Sequence, residues 1–116
     1  MMYHLGYSFA FDAGHHLTEP YSGPCCNPHG HTFGVELTFR SEVLDNCGMI
    51  FDANKVAAIE KAIKEQVDHK DINEVIPQPT CENIARWIFE QVANICPFVV
   101  SVKVSEGVGI WGSYSR

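Results

Sequence analysis

Apolar and polar residues alternate along the first stretch of the chain. Tyr3, Leu5, Tyr7, Phe9, Phe11 and Ala13 hold the odd positions, with His4, Gly6, Ser8, Ala10 and Asp12 between them. A period of two belongs to a strand with one buried face. The alternation returns after the turn-rich segment TEPYSGPCCNP, where Phe33, Val35, Leu37 and Phe39 are interleaved with Thr32, Gly34, Glu36, Thr38 and Arg40. Two such strands and their loop predict a hairpin. The period then lengthens. Val56, Ile59, Ile63 and Val67 form one helical stripe, and Ile84, Trp87, Ile88, Val92 and Ile95 form another behind Pro79 and Thr80, with Thr80 as N-cap. FVVSVKV and VGIWGSY predict two closing strands, so the order is ββααββ. The fold class is α+β: a four-stranded antiparallel sheet with two helices on one face, and residues 1–116 read as one domain.

That arrangement leaves a problem. Two helices cover one sheet face, so the other face and both edge strands stay open, which predicts self-association.

Composition narrows the classes. At 46% hydrophobic and 11% aromatic the chain has material for a core. No run approaches the roughly 20 apolar residues of a membrane span, and MMYHLGYSFAFDAGHH has neither a basic region nor a small-residue cleavage site. The expectation is a soluble, cytoplasmic protein with no membrane partner. Five cysteines without regular spacing argue against a disulfide framework and leave thiols free for chemistry. A formal charge of −6, with eight Lys and Arg scattered from Arg40 to Arg116, offers no basic stripe for nucleic acid.

The candidate chemistry lies in CCNPHGHTF. In a strand, residues i and i+2 share a face, so His29 and His31 can converge on one ion. Extending the odd register of the first strand puts His15 on the inner face with Phe9 and Phe11 and turns His16 away; a bulge would exchange the two. Three histidines without a fourth protein ligand describe an open zinc site, in which the ion acts as a Lewis acid. Two alternatives stand beside this reading: solvated turn histidines, and a closed structural site completed by Cys25 or Cys26.

FDAGHHL, HGHTF, GMIFD, VDHKDIN, PTCENIARWI and VKVSE, in this order, span nearly the whole chain. Together they resemble the 6-pyruvoyltetrahydropterin synthase and 6-carboxytetrahydropterin synthase family. The resemblance implies the tunnelling fold (T-fold), with sheets closing into a barrel and two trimeric barrels forming a hexamer whose sites lie between subunits. It implies Zn2+ held by His15, His29 and His31. Cys25, four residues before His29, matches the C-x-x-x-H-G-H spacing of the carboxytetrahydropterin branch and would act as base or nucleophile, with Cys26 as competitor. Asp68 and His69 would form a second acid/base pair, Glu106 would anchor the pterin ring, and Thr80 would contact substrate at the start of the second helix. Two departures from the pattern are Gly107, where the family commonly has threonine, and Ala53, where an aromatic often follows the aspartate.

The implied activity is a zinc-dependent lyase that converts 7,8-dihydroneopterin triphosphate, a small-molecule pterin, into 6-carboxytetrahydropterin for queuosine precursor synthesis. Within the family the alternatives are the pyruvoyltetrahydropterin reaction and an aldolase-like branch with a glutamate near HGH; no glutamate lies between Cys25 and His29. Outside it, Gly23, His29, His31 and Glu36 nearly reproduce a cupin motif. Val43 breaks that motif, no second motif follows, and two helical stripes do not suit a jelly roll. A silent pterin- or metal-binding paralogue is the remaining reading. Which of Arg40, Lys55, Lys70, Arg86 and Lys103 would face a triphosphate is left open.

Overall fold

Uninterrupted alternation in both arms of the hairpin allows two long strands to pair without slipping. In the computed structural model, which describes residues 1–116, β1 (Tyr3–His15) and β2 (His29–Ser41) run antiparallel from Tyr3 opposite Ser41 to His15 opposite His29. Inward side chains therefore line up across the ladder: Phe9 faces Val35, and Phe11 stacks on Phe33 with ring centroids 5.2 Å apart. Burial rises along β1, from exposed Tyr3 through half-buried Leu5, Tyr7 and Phe9 to buried Phe11, Ala13 and His15. The helices cover the last part of β1 best.

The chain then crosses one face as α1 (Ala53–Val67) and α2 (Cys81–Ala93) before returning as β3 (Val99–Glu106) and β4 (Trp111–Ser115). All neighbours in the sheet order β1-β2-β3-β4 are antiparallel. Each helix begins on a side-chain cap: Asp52 accepts from Asn54 N–H, and Thr80 accepts from Asn83 N–H at 3.1 Å. Val56, Ile59, Ile63 and Val67 are buried, as the stripe requires. In α2 the buried face is Cys81, Ile84, Ala85, Ile88, Phe89 and Val92, with Trp87 only half-buried.

Ile95 departs from expectation. It lies beyond the end of α2 and is 57% exposed, because Pro97 pushes the preceding residue out of helical conformation and Cys96 takes the buried place instead. The buried apolar residues form one cluster of 22 drawn from β1, β2, β3, both helices and the segments between them, so the strands that carry the histidines and Glu106 share a core with the helices.

The face away from the helices carries Gly6, Ser8, Ala10, Glu36, Thr38 and Lys103. The edges are less open than the sequence implies. Where β1 approaches its end, the loop after α1 occupies the edge: His69 N–H donates to the Asp12 carbonyl at 2.6 Å, and Gly14 N–H donates to the Lys70 carbonyl at 3.0 Å. Only the earlier part of β1, together with β4, remains available at the edges.

Gly112 of β4 sits directly beneath the start of α2. A Cβ there would lie 3.0 Å from the Glu82 backbone nitrogen and 3.1 Å from Cys81 Cβ. Gly112→Ala is therefore expected to destabilise by about 1–3 kcal/mol, the usual cost of overpacking against backbone. Ser113→Ala, on the neighbouring exposed position, should stay within about 0.5 kcal/mol. Urea unfolding midpoints of the two variants test the contrast.

Candidate metal centre and substrate cavity

Three imidazoles meet where β1 ends and β2 begins. His15 is paired directly with His29, and His31 is paired with Ala13, one inward position back along the ladder. Adjacent inward positions on paired strands are within side-chain reach of one another. Ring centroids are 4.5 Å apart for His15 and His29, 4.9 Å for His29 and His31, and 5.1 Å for His15 and His31. Phe33 floors the group, with its ring 5.3 Å from His15 and 5.6 Å from His31. His16 is not in it; its backbone is clamped by Asn73, whose side chain accepts from His16 N–H and donates to the His16 carbonyl.

The hydrogen bonds around the rings orient them. The His15 Nδ1–H donates to the Pro79 carbonyl at 2.8 Å, and the His29 Nδ1–H donates to the Asn27 carbonyl at 2.7 Å. Each bond leaves an Nε2 lone pair facing the group. His15 is only 2% exposed, and burial holds its imidazole below the ordinary value and so neutral. Nε2 of His15 and Nε2 of His31 are buried without any hydrogen-bond partner. Buried polar nitrogens are costly when unsatisfied. One ligand nitrogen from each histidine can be chosen so that all three lie within 4.8 Å of one another. The donor set fits a metal ion: three ring nitrogens converge, two of the rings are braced at Nδ1, and Nε2 of His15 and of His31 has no other partner.

Glu106, the last residue of β3, stands across from Phe33 and aims its carboxylate at the histidines. Oε1 is 3.7 Å from His15 Nε2 and Oε2 is 3.7 Å from His31 Nε2. The Cys81 thiol at the start of α2 lies against the same carboxylate, and burial with that negative charge pushes the thiol up to about 12. Cys81 is thus a thiol and a donor.

A cavity of about 270 Å³ joins His15, His29, Cys25, Thr80, Cys81 and Glu106, with Leu17, Tyr21, Ile110 and Trp111 as apolar walls. Cys25 sits in a single 3-10 turn, Pro24–Cys26, and is half-buried. Its carbonyl accepts from Leu17 N–H at 2.7 Å, which ties the long loop to the end of β1. Tyr21 folds over Gly23 toward the thiol, and the Cys25 side chain beside it holds the phenol above its ordinary range. Cys26 points elsewhere, donating to the Tyr21 carbonyl at 3.4 Å.

On the other flank of the histidines an open depression of about 670 Å³ is lined by His15, His29, His31, Thr32, His69 and Lys70 among others. Asp68 and His69 are paired, with His69 Nδ1 3.1 Å from Asp68 Oδ2. The other oxygen, Asp68 Oδ1, accepts from Asp12 N–H at 3.0 Å, and this bond first and His69 second hold the Asp68 carboxyl below its ordinary range. His69 has a positive φ of 58°, an unusual conformation for a non-glycine residue, and its ring is 77% exposed. The structure therefore brings Cys25, Thr80 and Glu106 together on one side of the histidines and sets the Asp68–His69 pair on the other. Of the five cations left open by the sequence, only Lys70 borders either cavity, and its ammonium docks on the Glu65 carbonyl.

Tyr21, Cys81 and Trp111 are the site residues that sequence reasoning missed. An aromatic on the polar side of a turn, as Tyr21 is within TEPYSG, was the one visible signal.

The sequence profile of the family described as 6-pyruvoyl tetrahydropterin synthase matches residues 4–116. An Archaeoglobus fulgidus protein provisionally named 6-carboxy-5,6,7,8-tetrahydropterin synthase is 34% identical over 112 residues, covering 97% of this chain and 95% of the other. A Pyrococcus furiosus protein named dihydroneopterin monophosphate aldolase is 32% identical over 98 residues, covering 84% of this chain and 81% of the other. The solved structure of Caenorhabditis elegans 6-pyruvoyl tetrahydropterin synthase superposes with a TM-score of 0.89 at 23% identity, over 100% of this chain and 96% of that one. No helix is long and apolar enough to cross a membrane. With its ββααββ order, its clustered histidines and a profile match over nearly its whole length, the chain belongs to the 6-pyruvoyl tetrahydropterin synthase family.

Proposed function

We propose that the protein is a zinc-dependent lyase of the 6-carboxytetrahydropterin synthase type. It takes 7,8-dihydroneopterin triphosphate and water to 6-carboxy-5,6,7,8-tetrahydropterin, a two-carbon aldehyde and triphosphate, a step toward a queuosine precursor. The observation that carries this reading is the cavity in which Cys25, Glu106 and Thr80 face the histidine group. The C-x-x-x-H-G-H spacing and the Archaeoglobus fulgidus relative favour the carboxytetrahydropterin chemistry within the family.

His15, His29 and His31 would hold the zinc through ring nitrogens. When bound, the ion supplies Lewis acidity toward hydroxyl and carbonyl oxygens of the substrate side chain. Glu106 accepts parallel hydrogen bonds from the pterin amino group and the neighbouring ring N–H, and Thr80 contacts the ring from the start of α2. Leu17, Tyr21, Ile110 and Trp111 offer apolar surface to a flat ring. Cys25 moves a proton at the substrate carbon next to the ring, and the Asp68–His69 pair moves one on the opposite side. Tyr21, which lines the same cavity, stands beside the thiol.

Assembly is part of the reading. The first and last strands of this sheet run in opposite directions, so β4 of one copy can add to β1 of the next while preserving antiparallel alternation around a ring. The loop at 69–71 already occupies the end of β1, which confines the neighbour's five-residue β4 to the earlier part of that edge. We expect a trimeric barrel, or two stacked as a hexamer, with Cys25 and the Asp68–His69 pair meeting from different chains.

The Pyrococcus furiosus relative supports one second reading, aldol cleavage of dihydroneopterin monophosphate. Incubating zinc-loaded protein with each substrate and identifying products by mass separates them: 6-carboxytetrahydropterin supports the first reading, and a hydroxymethyl pterin from the monophosphate alone overturns it. Cys25→Ala should keep the fold and the metal while losing roughly 100-fold or more in turnover, the scale of a removed proton-transfer group. Cys26→Ala should be much milder, and full activity in Cys25→Ala would sink the mechanism.

Mixing inactive Cys25→Ala with inactive His69→Ala protein, after subunit exchange, should restore part of the activity through interfaces that carry both intact groups. No recovery once exchange is verified by mass would mean that each site is built within a single chain.

A further inference from the structure

We infer that Glu106 is a fourth protein ligand to the metal held by His15, His29 and His31, and that it leaves the metal when a pterin binds; this rests on the reading proposed above. The two carboxylate oxygens reach toward different histidines, Oε1 to His15 Nε2 and Oε2 to His31 Nε2, each at 3.7 Å. At that distance neither contact is a hydrogen bond, and both nitrogens are buried without another partner. Ligand atoms at the corners of a tetrahedron with bonds of roughly 2.0–2.1 Å stand about 3.3 Å apart. Each carboxylate oxygen is thus a few tenths of an ångström from that spacing relative to one of the two histidine nitrogens.

Charge favours the same assignment. Three neutral imidazoles leave a dication uncompensated in a largely buried pocket, and Glu106, only 20% exposed, is the one carboxylate in contact with the histidines. Its backbone is anchored on both sides: Glu106 N–H donates to the Ile110 carbonyl and Gly107 N–H to the Thr32 carbonyl, each at 3.1 Å. Gly107 takes a φ of +60°, which lets the strand turn sharply right after the glutamate. With the main chain held, the exchange is a rotation of one side chain. A carboxylate that fills a metal vertex cannot also accept two parallel bonds from a pterin. Without pterin Glu106 closes the fourth position, and pterin binding draws it away and opens that position to the substrate side chain.

Metal-free protein reloaded with Co2+ tests this through visible absorption and metal affinity. Glu106→Gln and Glu106→Ala should both bind Co2+ at least about tenfold more weakly than wild type, since losing a direct ligand should cost no less than losing an outer-shell partner. Their spectra should differ from that of the wild type, and neopterin should shift the wild-type spectrum away from its pterin-free form. Identical affinity and spectra in all three proteins, with folding verified by circular dichroism, overturn the inference while leaving the three-histidine site intact. A wild-type spectrum unmoved at saturating neopterin overturns the exchange. Wild-type protein that takes up no Co2+ overturns both the inference and the metal reading beneath it.

Discussion

The unslipped pairing of β1 with β2 is the constraint on which the rest depends. Shifting one strand by a single residue would turn every side chain of that strand to the opposite face. Phe11 or Phe33 would leave the core, at about 1.5–3 kcal/mol for each large apolar side chain exposed. The same slip would separate His15 from His29 and His31. The apolar residues that fill the core therefore also set the geometry of the imidazoles, and the site inherits its precision from a register that hydrophobic burial enforces.

The start of α2 is the second support. Pro79 accepts from His15 Nδ1–H, Thr80 caps the helix, and Cys81 lies against Glu106. Three consecutive residues thus link helix packing to one candidate ligand and to the carboxylate beside it. Gly112 makes room for this contact by offering no side chain where the helix meets β4. A change in how α2 sits on the sheet would be felt at the histidines through hydrogen bonds that braced ligands depend on.

Periodicity carried the sequence reading a long way. The period of two in β1 and β2 and the longer period of the helices are properties of exposed versus buried positions, so the element order was legible. The position of His15 inside and His16 outside followed from parity alone, because no bulge interrupts β1 against β2. What was not legible belongs to loops. Nothing periodic places Tyr21 beside Cys25 or folds residues 69–71 onto the edge of β1. Ile95 shows the opposite failure: its spacing continues the helical stripe, but the constraint from Pro97 ends the helix first. The pairing of Asp68 with His69 came from the family resemblance and not from spacing, since adjacent residues pair only where the backbone turns, here through the positive φ at His69.

If the paired strand ends form a metal centre of imidazole nitrogens with no thiolate, X-ray absorption at the zinc edge of the loaded protein shows it most directly. Three nitrogen neighbours at roughly 2.0–2.1 Å are expected, with the remaining position filled by a light atom. A sulfur neighbour at roughly 2.3 Å, from Cys25 or Cys26, would contradict this and would make the site a closed structural one.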